Sequence, residues 1–257
     1  MRQEHLDNAV WWNETADWYG RRNDLELLRT GGSTLFPHER AILGDLDSWC
    51  RRAIHLQCSH GADALSLLNE GASEVIGIDI SESLLAYARE KAKALNANAK
   101  WVRADILETP HDLDGTADLV YTGKGAIAWM MDLDAWAKVV ARLLKPGGKF
   151  FLYEGHPLDW VWDETADTYV LDATFGDYFS TKLRTSLFTA KTASSPKYRQ
   201  WTLAQTINSL IAAGLVIDRL MEYPEHFWNH HPNISQDTSR RLPHTFAVLA
   251  HKPADSV

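Results

Sequence analysis

Residues 52–91 read RAIHLQCSHGADALSLLNEGASEVIGIDISESLLAYAREK. Ala53–Cys58 is a short, mostly apolar run ending in small and polar residues, as a buried parallel strand does. Ser59-His60-Gly61 makes a turn, and Ala62–Leu68 carries Leu65, Leu67 and Leu68, enough for a short helix. Glu74–Ile78 is a second apolar strand, with Asp79 at its C-terminal end. Together they form one βαβ unit with an acid roughly twenty residues after the loop. Ligands of open parallel sheets bind beyond the carboxyl ends of the strands. A small loop there admits a ligand close to the backbone, and an acid after the second strand suits both hydroxyls of a ribose. The unit predicts an adenosine-containing ligand without saying which one.

The pattern continues outward. Ser81 is placed to cap a helix over SESLLAYAREKAKAL, whose Leu84, Leu85 and Ala88 face the sheet. Lys100–Ala104 is a third strand followed by Asp105, and Ala117–Thr122 a fourth followed by Gly123-Lys124-Gly125. A helix from Asp132 carries Leu133, Trp136, Val140, Leu143 and Leu144 on one face and stops at Lys145-Pro146-Gly147-Gly148. Lys149–Glu154 is the fifth strand, ending at Gly155-His156-Pro157. Residues 158–200 are aromatic and Thr-rich and break the alternation. They read as an insertion with hairpin strands Thr168–Ala173 and Ser180–Lys191, either a substrate lid or an edge and dimer contact. Thr202 caps a helix through Ala213, and Leu215–Tyr223 and His244–His251 are two more strands. At the other end, residues 5–20 read as one amphipathic helix, residues 21–34 as a loop, and Pro37 opens a helix leading into the first strand.

Several of these segments resemble class I S-adenosylmethionine-dependent methyltransferases. The likeness lies in Trp12-Asn-Glu-Thr-Ala16-Asp-Trp-Tyr19, in the central unit, in Asp105-Ile106, and in Leu-Leu-Lys-Pro-Gly-Gly followed by a strand. The first loop departs from that family: His55 stands at its acid position, Gln57 and Ser59 replace two glycines, and only Gly61 matches. It is similar to a branch with a His-Leu-Gln-Cys start. The resemblance implies a Rossmann-like, doubly wound, mixed seven-stranded α/β sheet with a reversed last strand. It implies one domain over 1–257: an N-terminal helical cap (1–49), a cofactor-binding core (50–156), the insertion (157–200), and a C-terminal helix and strands (201–257). It also implies S-adenosyl-L-methionine as cofactor, contacted by Trp12, Tyr19, Gln57, Cys58, Ser59, Gly61, Asp79, Ile80, Asp105, Ile106, Thr122 and Gly123.

The expected reaction is methyl transfer to a small molecule with an apolar or aromatic body. His156 is the first candidate general base, with Glu154 either orienting it or binding substrate, and Trp129, Tyr178, His226 and Trp228 are candidate substrate contacts. His226, His230 and His231 invite a zinc reading, but Pro232 and the aromatic surroundings favour a plain loop, so no metal is expected. A nicotinamide-dependent oxidoreductase would need the glycine fingerprint that Gln57-Cys58-Ser59 lacks. A non-catalytic cofactor-binding protein is the other alternative.

Composition narrows the partners. The chain has 257 residues, 45% hydrophobic and 23% charged, with a formal net charge of -8. That charge counts against nucleic acid or an anionic membrane surface. Two cysteines, Cys50 and Cys58, suit a reducing cytoplasm rather than a disulfide scaffold. No apolar run is long enough to span a membrane. A monomer or homodimer is expected.

Overall fold

The computed structural model describes residues 1–21, 24–185 and 195–254. The N-terminal part holds four helices, α1 (Gln3–Glu14), α2 (Ala16–Gly20), α3 (Leu25–Arg29) and α4 (Pro37–Leu43). The core runs β1 (Arg52–Leu56), α5 (Ala62–Asn69), β2 (Glu74–Asp79), α6 (Glu82–Leu95), β3 (Ala99–Arg103), β4 (Ala117–Gly123), α7 (Leu133–Leu143) and β5 (Leu144–Gly155). A short pair, β6 (Arg184–Thr185) and β7 (Lys197–Tyr198), follows. Then come α8 (Leu203–Ala212), β8 (Val216–Tyr223), α9 (Gln236–Ser239) and β9 (Thr245–His251).

Seven strands form one sheet in the order β3-β2-β1-β4-β5-β9-β8. Neighbours from β3 to β5 are parallel, and β9 runs antiparallel to both β5 and β8. Strand alternation divides the apolar residues between two cores. Ile54, Val120, Phe150, Leu152 and Val248 enter one face with Trp136, Val140 and Leu210 of α7 and α8. Ala53, Leu119, Tyr121, Phe151 and Ala247 enter the other with Leu43 of α4 and Leu67 of α5. Successive side chains of a strand point to opposite faces, so both faces must be covered for these runs to be apolar throughout.

Local chemistry sets the helix starts. Ser81 Oγ accepts the Leu84 N–H at 3.2 Å, and Asp132 Oδ1 accepts the Ala135 N–H at 3.0 Å. Thr202 and Gln205 form a reciprocal capping box at α8.

Four expectations change. Residues 21–34, expected as a loop, hold the short helix α3, whose Leu28 is buried against α5 and α6. The first helix is broken into α1 and α2 at Thr15, whose hydroxyl donates to Trp11 O at 2.9 Å and competes with the helical ladder. The fifth strand begins at Leu144 rather than Lys149. Its register shifts between the pairs Ala117/Leu144 and Leu119/Lys149, while Gly147 and Gly148 hydrogen-bond to Lys252. Thr168–Ala173 is not a strand: Leu171 makes one bridge to Trp162, and Asp172 Oδ1 turns the chain by accepting from Thr174 N at 2.7 Å and Phe175 N at 2.6 Å. Of the expected strand Ser180–Lys191, only Arg184–Thr185 is extended and paired, and residues 186–191 lie outside the described residues.

Candidate functional site

The loop after β1 keeps an unusual backbone. Gln57, Ser59 and Gly61 all have positive φ, at 56°, 51° and 80°, although only the last is glycine. Left-handed backbone costs a residue with a Cβ roughly 1–2 kcal/mol, so the loop must be held by other bonds. Gln57 Nε2 donates to Ala126 O at 2.6 Å, and Cys58 N donates to Ile78 O at 3.0 Å. Ser59 N donates to Asp79 Oδ2 at 2.8 Å, while Ser81 N donates to Asp79 Oδ1 at 2.9 Å. Burial raises the Asp79 carboxyl to about 6, against the opposing pull of these N–H groups.

Asp105 follows β3 and is 2% exposed. Burial would raise its carboxyl, but hydrogen bonds from His5 and Leu107 N–H outweigh burial and hold it below the ordinary carboxylate range. His5 Nδ1 donates to Asp105 Oδ2 at 2.7 Å, and its Nε2 accepts the Met131 N–H at 3.3 Å. That pair of bonds fixes the ring orientation and joins α1 to the core.

The loop after β4 is anchored from beneath. Glu154 accepts from Gly125 N, from Ile127 N at 3.1 Å and from Gly155 N at 3.0 Å. Burial raises its carboxyl to about 6 even so. Lys124, at φ 59°, turns its ammonium to Asp63 at 3.0 Å, Glu39 at 3.3 Å and Thr34 O at 3.1 Å.

These strand ends surround one cavity of about 480 Å³, within the roughly 300–1,000 Å³ of small-molecule sites. Its walls include Trp12 and Tyr19 from α1 and α2, Trp129 from the turn after β4, and Phe36, Phe227 and Trp228. Trp129 stacks on Trp11 with centroids 5.6 Å apart and touches Tyr198 of β7 at 5.7 Å. Asn13 Oδ1 accepts from Ser83 N at 3.0 Å and Ser81 Oγ at 2.9 Å, pinning α1 over the start of α6.

The cavity gathers Trp12, Tyr19, Gln57, Cys58, Ser59, Asp79, Ile80, Asp105, Ile106, Gly123, Trp129 and Trp228 from the sequence candidates. Six others stand outside its lining. Gly61 packs behind the loop, where a Cβ would meet Trp101 at 2.6 Å. Thr122 Oγ1 donates to Leu56 O at 3.1 Å between strands. Glu154 holds backbone amides. His156 is occupied by Glu222 at Nε2, 2.9 Å away, and by the Leu158 N–H at Nδ1, 3.1 Å away. Tyr178 OH accepts the Leu203 N–H at 3.2 Å. His226 stacks on His244, centroids 3.6 Å apart. His226, His244 and Asp159 bring ligand-type atoms within 4.8 Å of one another. His244 Nδ1 donates to Asp159 Oδ1 at 2.6 Å, so this cluster is built differently from the His226/His230/His231 set.

Sequence reading missed His5, Asn8, Asp63 and Lys124 as cavity residues. His5, Asn8 and Trp12 are spaced i, i+3, i+7, one face of a helix, and that signal was present. Nothing local marked Asp63, whereas Lys124 stands in the Gly123-Lys124-Gly125 turn beyond the fourth strand, a position that already pointed to the cavity.

Residues 53–148 match a family model described as a methyltransferase domain. A demethylmenaquinone methyltransferase of Thermus thermophilus is 31% identical over 134 residues, covering 52% of this chain and 60% of that protein. Phosphoethanolamine N-methyltransferase 1 of Arabidopsis thaliana is 26% identical over 102 residues, covering 40% of this chain and 20% of that protein. The chain thus spans less than two thirds of the length of either. Among solved structures, an S-adenosylmethionine-dependent methyltransferase from Mesorhizobium loti has a TM-score of 0.65 at 26% identity, covering 84% of this chain and 96% of that one. A similarly described protein from Listeria monocytogenes has a TM-score of 0.65 at 24% identity with the same coverage, a likeness of fold. Residues 53–148 thus resemble a methyltransferase domain, and the sheet they belong to has the fold of S-adenosylmethionine-dependent methyltransferases.

Proposed function

We propose that this protein transfers the methyl group of S-adenosylmethionine to a small-molecule acceptor. One observation carries the reading: Asp79, Asp105 and the loop after β1, all beyond the carboxyl ends of parallel strands, line a single cavity with aromatic walls. The residues fit the cofactor. Asp79 spends one oxygen on each of two N–H donors and keeps lone pairs for ribose hydroxyls. Asp105 and Ile106 flank the place for adenine, and Ile80, Trp12 and Tyr19 enclose it.

Bound S-adenosylmethionine supplies a methyl on a sulfonium, an electrophile that needs only an aligned nucleophile. The protein's part is to hold the acceptor in line and exclude water. Glu154 acts as a positioning residue that fixes the 123–127 turn, not as an acid or base. His156, turned to Glu222, leaves the cavity without the base expected from sequence. Trp129, Phe36, Phe227 and Trp228 make the acceptor side apolar, which suits an acceptor with an aromatic or hydrophobic body. The described parts of the insertion, 157–185 and 195–200, serve as a lid: β7 rests on α1 through Asn8, and Arg199 N donates to Ala128 O at 2.9 Å. No described helix is long and apolar enough to cross a membrane. The two free cysteines and the charge of -8 support a cytoplasmic enzyme, monomeric or homodimeric, that does not act on nucleic acid.

Calorimetric titration with S-adenosylmethionine, S-adenosylhomocysteine and NAD tests the reading. Binding of the first two and not the third is expected. Binding of NAD alone, or of none, overturns it.

A further inference from the structure

The amino-acid end of the cofactor needs a counter-charge for its ammonium, and the residue at the end of β1 cannot give one. His55 lines the cavity, is 4% exposed, and its Nδ1 has no hydrogen-bond partner among the described residues. Burial holds its pKa down at about 4, so the ring is neutral at physiological pH. A neutral imidazole with an open nitrogen accepts a hydrogen bond but carries no charge.

A carboxylate does reach the same cavity from the next element. Asp63 is in the first turn of α5 and lines the cavity beside His55 and Lys124. Thr34 Oγ1 donates to Asp63 Oδ1 at 2.5 Å, and Lys124 Nζ stands 3.0 Å from Oδ2. Lys124 is shared with a second buried carboxylate, Glu39, at 3.3 Å. Two carboxylates therefore face one ammonium, and a ligand cation would complete the set. Glu39 is closed off, accepting from Tyr121 OH and Phe36 N at 2.7 Å each. Asp63 is the one of the two that lines the cavity.

We propose that Asp63 is the counter-ion of the cofactor's α-ammonium, with His55 as a neutral acceptor beside it, so that the acid of this subsite has moved from the end of β1 to the first turn of α5. Lys124 and Thr34 are positioning residues that hold the carboxylate. The proposal rests on S-adenosylmethionine being the ligand.

The test compares S-adenosylhomocysteine with 5′-methylthioadenosine, which keeps the nucleoside and thioether but has no amino-acid end. Both are titrated into wild type and Asp63→Asn. A charged hydrogen bond lost from a buried site should weaken S-adenosylhomocysteine by about tenfold to a hundredfold. Methylthioadenosine should bind the variant within about twofold of wild type, which also shows that it folds. Equal loss for both ligands, or no loss for either, overturns the proposal and leaves the cofactor assignment standing. Failure of wild type to bind either ligand overturns both. If Asp63→Asn does not fold, Asp63→Glu keeps the charge one methylene out of place. It should weaken S-adenosylhomocysteine several-fold and spare methylthioadenosine; unchanged binding of both overturns the proposal.

Discussion

The Asp79 carboxylate accepts the Ser59 N–H at 2.8 Å, so the end of β2 closes the loop that follows β1. The same side chain receives Ser81 N–H and starts α6. Asp79→Ala would leave buried donors without partners, each costing about 1–3 kcal/mol. We expect a stability loss of about 2 kcal/mol or more, read by urea unfolding, and a fall of over about tenfold in S-adenosylhomocysteine affinity. Unchanged affinity in the folded variant would remove the ribose assignment.

Ser59 is left-handed without being glycine, at φ 51°. Its N–H, not its side chain, makes the bond to Asp79. Ser59→Gly relieves the Cβ strain and loses some of the gain to unfolded-chain entropy. The net expectation is a gain of up to about 1 kcal/mol. A lower urea midpoint than wild type would contradict this.

Gly61 has the opposite sensitivity. At φ 80° its Cβ would meet Trp101 at 2.6 Å and Ala88 Cβ at 2.7 Å. Strain and overpacking add, so Gly61→Ala should cost about 2–3 kcal/mol. Thermal denaturation measures it, and a variant as stable as wild type would refute the packing argument.

Glu154 gives a pH test. Burial holds its carboxyl at about 6 against an ordinary 4.5, so the folded state binds the proton more tightly than the unfolded one. Its contribution is complete below pH 4.5 and is lost as pH rises through 6, a change of about 2 kcal/mol. Asp79, raised to about 6 in the same way, adds in the same direction. Glu154→Gln cannot titrate. Its stability relative to wild type should rise by about 2 kcal/mol between pH 4 and pH 7. A constant difference across urea melts at four pH values would reject the buried-carboxyl account.

Asn8 imitates a strand neighbour: its Nδ2 donates to Lys197 O at 2.8 Å, and its Oδ1 accepts the Lys197 N–H at 2.7 Å. Asn8→Ala should release β7 from α1. Hydrogen exchange at the Lys197 amide is expected to quicken at least about tenfold, while amides of β1 and β4 stay as protected as before. Equal protection in both proteins would show that other contacts hold the insertion.

The sheet was readable because its central strands, such as β1, β2 and β4, are apolar on both faces and its helices carry clear caps, as at Ser81 and Thr202. Asp79 and Asp105 were readable because strand ends define where a ligand sits. The glycine pattern was misleading in its identities but sound in its geometry: Gln57 and Ser59 keep the left-handed backbone that glycine would adopt freely. What sequence order did not disclose was orientation across long separations. His156 follows β5 directly, yet it pairs with Glu222 of β8, 66 residues on, and does not line the cavity. Lys124 meets Glu39, far back in the chain, across the same kind of gap. Pairings of that range are set by tertiary packing and leave no periodic trace.

β9 is synthesised after both strands it lies between, β5 and β8. Until it inserts, each presents a bare row of backbone donors and acceptors, the template on which chains join edge to edge. The pairings of β3, β2, β1, β4 and β5 are complete well before that, so a nascent chain would hold the strand ends that carry Asp79 and Asp105 beside an unfinished sheet. Removing residues 245–251 should therefore cause aggregation and slow assembly before it impairs chemistry, because the last and most distant pairing governs the pace.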